Sequence, residues 1–415
     1  MNKLKNGFAH MYDIEKIRKD FPILQQKING KRNTFLDTAA SAQKPQIVID
    51  AVVKMYTQTY ANVHRGRYYL SEMATAAYEN ARRIVKGFIN AKSEKEIIFT
   101  RSATEGMNLV ASSWGLNNLK AGDEVLLSEA EHHGNLVPWQ NTCAKTGAIL
   151  RFFKVNDDGS FDIENFYKLL TPKVKMVAVT GMSNILGTVF PVKEITKAAH
   201  LAGALCLVDA CQSIVHTPTD VQDIGCDFMA FSGHKLYAPS GLGCLYGKYD
   251  LLCAMPPYQF GGDMIENVTY EKTTFTTPPA RFEAGTPAIV QAVGMGAALQ
   301  YLQSIGMKNI EIHEQELIKY MNERLKEITD LKIIGTAPNK GGVFSFALGN
   351  IHPQDVAFIL DKEGVSIRTG HHCAQPIVNR MGYNSLARAS FGLYTNTEDI
   401  DCFVKALKKA QTFFK

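Results

Sequence analysis

Several short segments carry side chains suited to covalent chemistry if the fold brings them together. In Leu205-Cys206-Leu207-Val208-Asp209-Ala210-Cys211-Gln212, a carboxylate closes an apolar run. A carboxylate so placed needs a partner against desolvation. A protonated pyridine nitrogen is a suitable one, because the pair keeps an aromatic ring cationic and able to take electrons from a carbanion. Gln212, three residues on, is placed to reach a ring oxygen. Asp209 is equally suited to capping the next helix. In Asp227-Phe228-Met229-Ala230-Phe231-Ser232-Gly233-His234-Lys235, a similar run ends in a small polar turn and then a lysine. A lysine in a partly apolar pocket can lose its proton and form a Schiff base, whereas most loop lysines are simply solvated. Asp209 and Lys235 close neighbouring strand candidates, and Ser232 and His234 are placed to hold a phosphate.

Three more segments fit the same chemistry. Arg101-Ser102-Ala103-Thr104 follows the run IIFT and opens a helix; free N–H groups there suit a phosphate, and capping by Ser102 or Thr104 is compatible with that role. Glu131-His132-His133-Gly134-Asn135 offers an imidazole that can stack on a ring and move protons. Neighbouring histidines rarely chelate one metal together, so no metal site is expected. Arg388, among small residues in Leu386-Ala387-Arg388-Ala389-Ser390, presents a fork that matches a carboxylate; a surface salt bridge is the alternative. Cys373 stands in Arg368-Thr369-Gly370-His371-His372-Cys373-Ala374-Gln375-Pro376, a polar stretch with Gly and Pro breaks, where a working thiol is expected.

These residues need a scaffold. Short β-like runs at 34–37, 97–100, 124–128, 176–180, 205–209, 227–232 and 243–247 alternate with helical stretches at 72–90, 104–114, 134–146 and 191–202. Several runs are continuously apolar, as in strands buried on both faces. The alternation implies an α/β fold, a mostly parallel sheet covered by helices. Thr104, His132, Asn184, Asp209, Ser232, His234 and Lys235 each follow such a run or its short loop, where α/β sheets bind ligands. Residues 14–22 read as a short helix ended by Pro22. A buried helix with two glycines is expected at 287–303 and an amphipathic one at 308–328. Strands are expected at 342–348 and 365–368, then a last helix from 397. Residues 301–415, with the N-terminal segment, form a smaller α+β unit.

The 415 residues, 46% hydrophobic and 20% charged, suit a globular protein of two domains. The net charge of +5 is scattered, so no nucleic-acid footprint is expected. The basic end (Lys405, Lys408, Lys409, Lys415) reads as a solvated helix face. No run is long and apolar enough to span a membrane, and the N-terminus lacks a secretory core. The eight cysteines contain no CxxC pair, which fits a reducing, cytoplasmic setting without structural zinc.

Taken together, the segments Asn62-Val63-His64-Arg65-Gly66, TRSATEGMN, EHHGNLVPWQ, VDACQS, SGHK, RFEAGTP and RTGHHCAQP closely resemble the class V, fold-type I pyridoxal-phosphate enzymes. Within them the chain resembles the SUF-type (class II) cysteine desulfurases, from FPIL near residue 21 to the last helix. The resemblance implies a large cofactor-binding domain at 33–300 with a seven-stranded sheet, and a small domain of 1–32 and 301–415 that carries the cysteine loop. It implies that Lys235 holds pyridoxal 5'-phosphate, Asp209 pairs with its ring nitrogen and Gln212 with its ring oxygen, and His132 stacks on the ring. Thr104, Ser232 and His234 would bind the phosphate, with Thr286 contributed by the second subunit of a homodimer. Asn184 and Arg388 would bind the substrate carboxylate, with Arg368 and His64 near Cys373 in the pocket.

By the same resemblance, the reaction converts L-cysteine to alanine with a persulfide left on Cys373. The sulfur would pass to an acceptor protein of the SufE or SufU type for iron–sulfur cluster assembly. Selenocysteine lyase uses the same residues and stays open; a class V aminotransferase would need no thiol at 373. Residues 1–10 precede the matching region, with Met11 an alternative start, and Phe260 stands where related sequences often have glycine.

Overall fold

The computed structural model describes residues 12–414; Met11 and Lys415 lie outside them. Seven strands form the main sheet: β1 (Ile97–Thr100), β2 (Glu124–Ser128), β3 (Ile149–Phe153), β4 (Val174–Thr180), β5 (Leu205–Asp209), β6 (Phe228–Ser232) and β7 (Gly243–Gly247), in spatial order β1-β7-β6-β5-β4-β2-β3. The run from β6 to β3 is parallel, and β7 alone is antiparallel to both its neighbours. The central strands are apolar throughout because both faces are covered. Val177, Val179, Cys206, Val208, Met229 and Phe231 enter one core, while Met176, Ala178, Leu207, Phe228 and Ala230 enter the other. Period-two alternation of apolar residues between two cores is what continuous hydrophobicity means in a strand.

Helices α1 (Gln46–Lys54), α2 (Tyr69–Phe88) and α3 (Ala103–Leu109) lie early in the chain, and α4 (His133–Thr146) follows β2. The helix α5 (Ile289–Ile305) packs against α1 and α2 and is buried along much of its length. Its glycines are what allow this: a Cβ on Gly294 would stand 2.5 Å from Pro239 Cγ, closer than atoms can pack.

The smaller sheet is antiparallel. It runs β8 (Leu331–Ile334), β9 (Val343–Leu348), β11 (Leu386–Ser390), β10 (Arg368–Gly370) across its width. Its core joins Phe344, Phe346 and Ala389 to Leu317, Met321, Leu360, Phe403 and Leu407 of covering helices. The N-terminal segment belongs beside it. Arg18 Nη1 meets Asp399 Oδ2 at 2.6 Å, both side chains buried, and Thr34–Phe35 pairs in parallel with Val365–Ser366.

Three differences from the sequence reading have physical causes. The run 34–37 is a two-residue strand of the C-terminal layer and not of the main sheet, since Leu36 N–H donates to Ser366 O and Ser390 N–H donates to Leu36 O. β3 was not expected; it is the sheet edge, mostly exposed, and so lacks a continuous apolar run. The helix at 14–22 ends at Lys19, and Pro22 opens a separate 3-10 turn. Lys408 and Lys409 pair with Glu327 and Glu363 on the surface, as a solvated face would. No described helix is long and apolar enough to cross a membrane.

Candidate active site

The carboxyl ends of β4, β5 and β6 open into a cavity of about 220 Å³. Thr104, His132, Asn184, Asp209, Gln212, Ser232, His234, Lys235, Arg368, Cys373 and Arg388 all line it. β5 and β6 are hydrogen-bonded neighbours, which brings the Asp209 carboxylate and the Lys235 turn to one place. Asp209 is buried, and its Oδ1 accepts only the Cys211 amide at 2.9 Å. It therefore caps no long helix; Gln212 is the residue preceding the short helix Ser213–His216. Gln212 is buried and donates to Ala39 O at 2.8 Å.

The floor of the cavity is held closely. Ser232 Oγ accepts the Ala103 amide at 2.9 Å, which leaves its hydroxyl hydrogen available to an anion. A Cβ on Gly243 would fall 2.5 Å from the Ser102 carbonyl carbon, so β7 lies directly against the start of α3. Ser102 caps α3 by accepting from the Glu105 amide. His132 Nδ1 accepts the Gly134 amide at 2.9 Å, so any proton of the neutral ring sits on Nε2. Burial and the nearby Lys235 charge lower its pKa to about 4. His234 is lowered to about 4 by burial and the charges of Lys235 and Lys44. Both rings are therefore neutral at physiological pH.

The opposite wall belongs to the smaller sheet. Arg388, on β11, is 2% exposed. Its Nη1 donates to Asn184 O at 2.9 Å, while Nε is buried without a partner, as is Asn184 Oδ1. Burial lowers its pKa to about 10, with Asp37 opposing that shift. Two buried, unsatisfied polar atoms on residues that line one cavity call for a ligand with acceptor and donor groups.

Two expected members lie elsewhere in the chain. His64 was expected beside Cys373. It lines a different opening with Arg65, Glu79 and Asp263, held there by a 3.0 Å contact to Glu79 Oε1 that also raises its pKa. Thr286 lines a third cleft with Arg101, Glu105, Tyr258 and Glu283.

The structure also brings in residues the sequence reading passed over. Asp37 accepts from Arg368 Nε at 3.1 Å and lies 3.5 Å from Arg388 Nη2. Its signal was the same as for the others, a polar residue closing a β-like run. Glu131 lies behind Asp209 and accepts from Ser128, Asn135 and the Thr180 amide. Burial raises its pKa to about 7. No group of three or more potential metal ligands exists among the described residues.

These residues fit pyridoxal 5'-phosphate: a lysine amine for covalent attachment, a buried carboxylate with a single backbone donor for the ring nitrogen, and a hydroxyl-rich floor for the phosphate. The family profile for Aminotransferase class-V matches residues 34–403. The chain is 49% identical to a probable cysteine desulfurase of Synechocystis sp., over 96% of this chain and 96% of that protein. It is 46% identical to a cysteine desulfurase of Synechococcus elongatus over 97% of this chain, and spans 64% of that protein's length. The crystal structure of the cysteine desulfurase CsdA (S-sulfonic acid) from Escherichia coli superposes with a TM-score of 0.90 at 35% identity, covering 98% of this chain and 100% of that one. The chain belongs to the aminotransferase class-V family, among its cysteine desulfurases.

Proposed function

We propose that this chain is a pyridoxal-phosphate-dependent cysteine desulfurase that converts L-cysteine to alanine and keeps the sulfur as a persulfide on Cys373. The observation that carries this reading is the convergence of Lys235, Asp209 and Cys373, far apart in sequence, on one cavity. The cofactor, when bound, supplies an electron sink conjugated to the substrate Cα. Lys235 would hold it, and the lysine amine would be the base for the Cα proton. Asp209 would pair with the ring nitrogen and keep it protonated, Gln212 would face the ring oxygen, and His132 would lie against the ring. Thr104, Ser232 and His234 would hold the phosphate. Arg388 and Asn184 fix the substrate carboxylate, which accepts from Arg388 Nε, the guanidinium nitrogen left without a partner. The Cys373 thiolate, the reactive form, bonds the substrate sulfur as the Cβ–S bond breaks and its electron pair passes to carbon. Protonation of that carbon, and return of a proton from Lys235 to Cα, complete alanine.

The thiol sits on a loop too short to carry it far: β10 ends at Gly370 and a helix begins at Gln375. Asn184 Nδ2 donates to His372 O at 2.7 Å, and the His133 amide donates to Cys373 O at 2.7 Å. An acceptor protein, of the SufE or SufU type and feeding iron–sulfur cluster assembly in this reading, must therefore come to the sulfur. Thr286 and His64 would serve the cavity of a second copy. The exposed set Val53, Tyr56, Tyr60, Tyr68, Tyr69 and Leu70 on and around α1 and α2 supplies apolar surface for such a homodimer. The division into a large unit, 33–300, and a small one, 1–32 with 301–415, is part of the same reading, as is a cytoplasmic setting, supported by eight free cysteines.

The test is to mix the holoenzyme with L-cysteine and follow alanine. One equivalent per site is expected at once, then slow turnover that a thiol acceptor accelerates; equal rates with and without an acceptor would exclude a confined sulfur. Replacing Arg388 by lysine removes the fork that matches the carboxylate. It is expected to raise KM for L-cysteine about ten- to hundredfold, measured by steady-state alanine release.

A further inference from the structure

The cysteine loop is held in a conformation it would not choose alone. His372 and Cys373 both have left-handed backbones, with φ of 52° and 55°. A residue with a Cβ rarely adopts this conformation, so surrounding contacts must impose it. Before the thiol, Asn184 holds His372 O, and His372 Nε2 meets Leu386 O at 3.0 Å. After it, Ala374 is buried in the main core, and the hydrogen bonds from the rest of the fold to Cys373 O and the Gln375 amide come from His133. His133 is the first residue of α4, and its amide donates to Cys373 O at 2.7 Å. Gln375 is the first residue of the next helix, and its amide donates to His133 Nε2 at 3.1 Å.

The two helix starts thus satisfy each other's leading amides, which would otherwise lack partners, and the two bonds bracket Ala374, directly after the thiol. The ring can accept at Nε2 only when it is neutral with its proton on Nδ1. Burial and the neighbouring His371 push its pKa below the ordinary value, in keeping with that form.

We propose that His133 is a positioning residue for sulfur transfer: through its amide and its ring it fixes the segment after the thiol, so that Cys373 faces the substrate sulfur. This rests on the reading that Cys373 receives the sulfur. It assigns His133 no contact with cofactor or substrate, unlike His132 beside it.

The experiment compares the wild-type holoenzyme with His133→Ala and with His133→Gln, whose side-chain oxygen can stand in for Nε2. Alanine release is measured with dithiothreitol as the acceptor, and hydrogen exchange of the peptide covering residues 371–376 is followed without cysteine. His133→Ala is expected to lower kcat about tenfold, the worth of one hydrogen bond in the transition state. KM should stay within about twofold, because carboxylate binding is untouched. Exchange at Gln375 should accelerate about tenfold. His133→Gln should restore both.

An unchanged kcat or exchange rate in His133→Ala, or a glutamine variant as impaired as the alanine one, overturns the proposal. The exchange measurement does not depend on turnover. It therefore separates failure of the clamp from failure of the reading that Cys373 takes the sulfur, which Cys373→Ala tests directly.

Discussion

Replacing Cys373 by alanine abolishes alanine release from L-cysteine, by more than about a thousandfold, the scale of losing a nucleophile. The same variant keeps its yellow colour and its cofactor content, because Lys235, Asp209 and Ser232 stand on β5, β6 and the turn after β6, apart from the loop at 373. Adding L-cysteine to it still changes the visible spectrum, since the amine exchange needs no thiol. The measurement pairs alanine quantitation with absorption spectra. Retained alanine release would remove Cys373 from the reaction and leave a chemistry confined to the cofactor, as in an aminotransferase.

Lys235→Ala is expected to be as damaging for a different reason. It removes the covalent hold on the cofactor and the base for the Cα proton together. Turnover should fall by more than about a thousandfold, and the colour of the lysine-bound cofactor should be lost on purification. Cofactor added back should bind without restoring turnover, because the buried Asp209 and the Ser232 floor remain. Absorption spectroscopy after dialysis and a borohydride-trapping experiment on the wild type, which should label Lys235, check this. A labelled lysine other than Lys235 would sink the assignment.

Most of the scaffold was legible because its central strands are buried on both faces and bounded by turn residues. Ile97–Thr100, Glu124–Ser128, Leu205–Asp209 and Gly243–Gly247 appear with their expected limits. β3 was not legible, since an edge strand such as Ile149–Phe153 carries exposed side chains and no consistent period. Sheet membership of Thr34–Phe35 was also hidden, because its partner lies over three hundred residues away at Val365–Ser366. In the cavity, polar residues at strand ends pointed to one place, and they converge there. The holding roles of Asp37, Glu131 and His133 were not legible, for a common reason. Each acts by holding another residue, and such a role depends on distances that only the folded chain fixes.

The confined loop has a consequence for how the protein behaves when no recipient is near. A persulfide lengthens the side chain by a single S–S bond, about 2 Å, and occupies the space an incoming cysteine sulfur would need. A loaded site thus admits its next substrate poorly, in line with the slow turnover expected without an acceptor. Each copy can hoard one sulfur atom and then slow down, so that little of the amino acid is consumed and little toxic sulfide is spilled when demand stops.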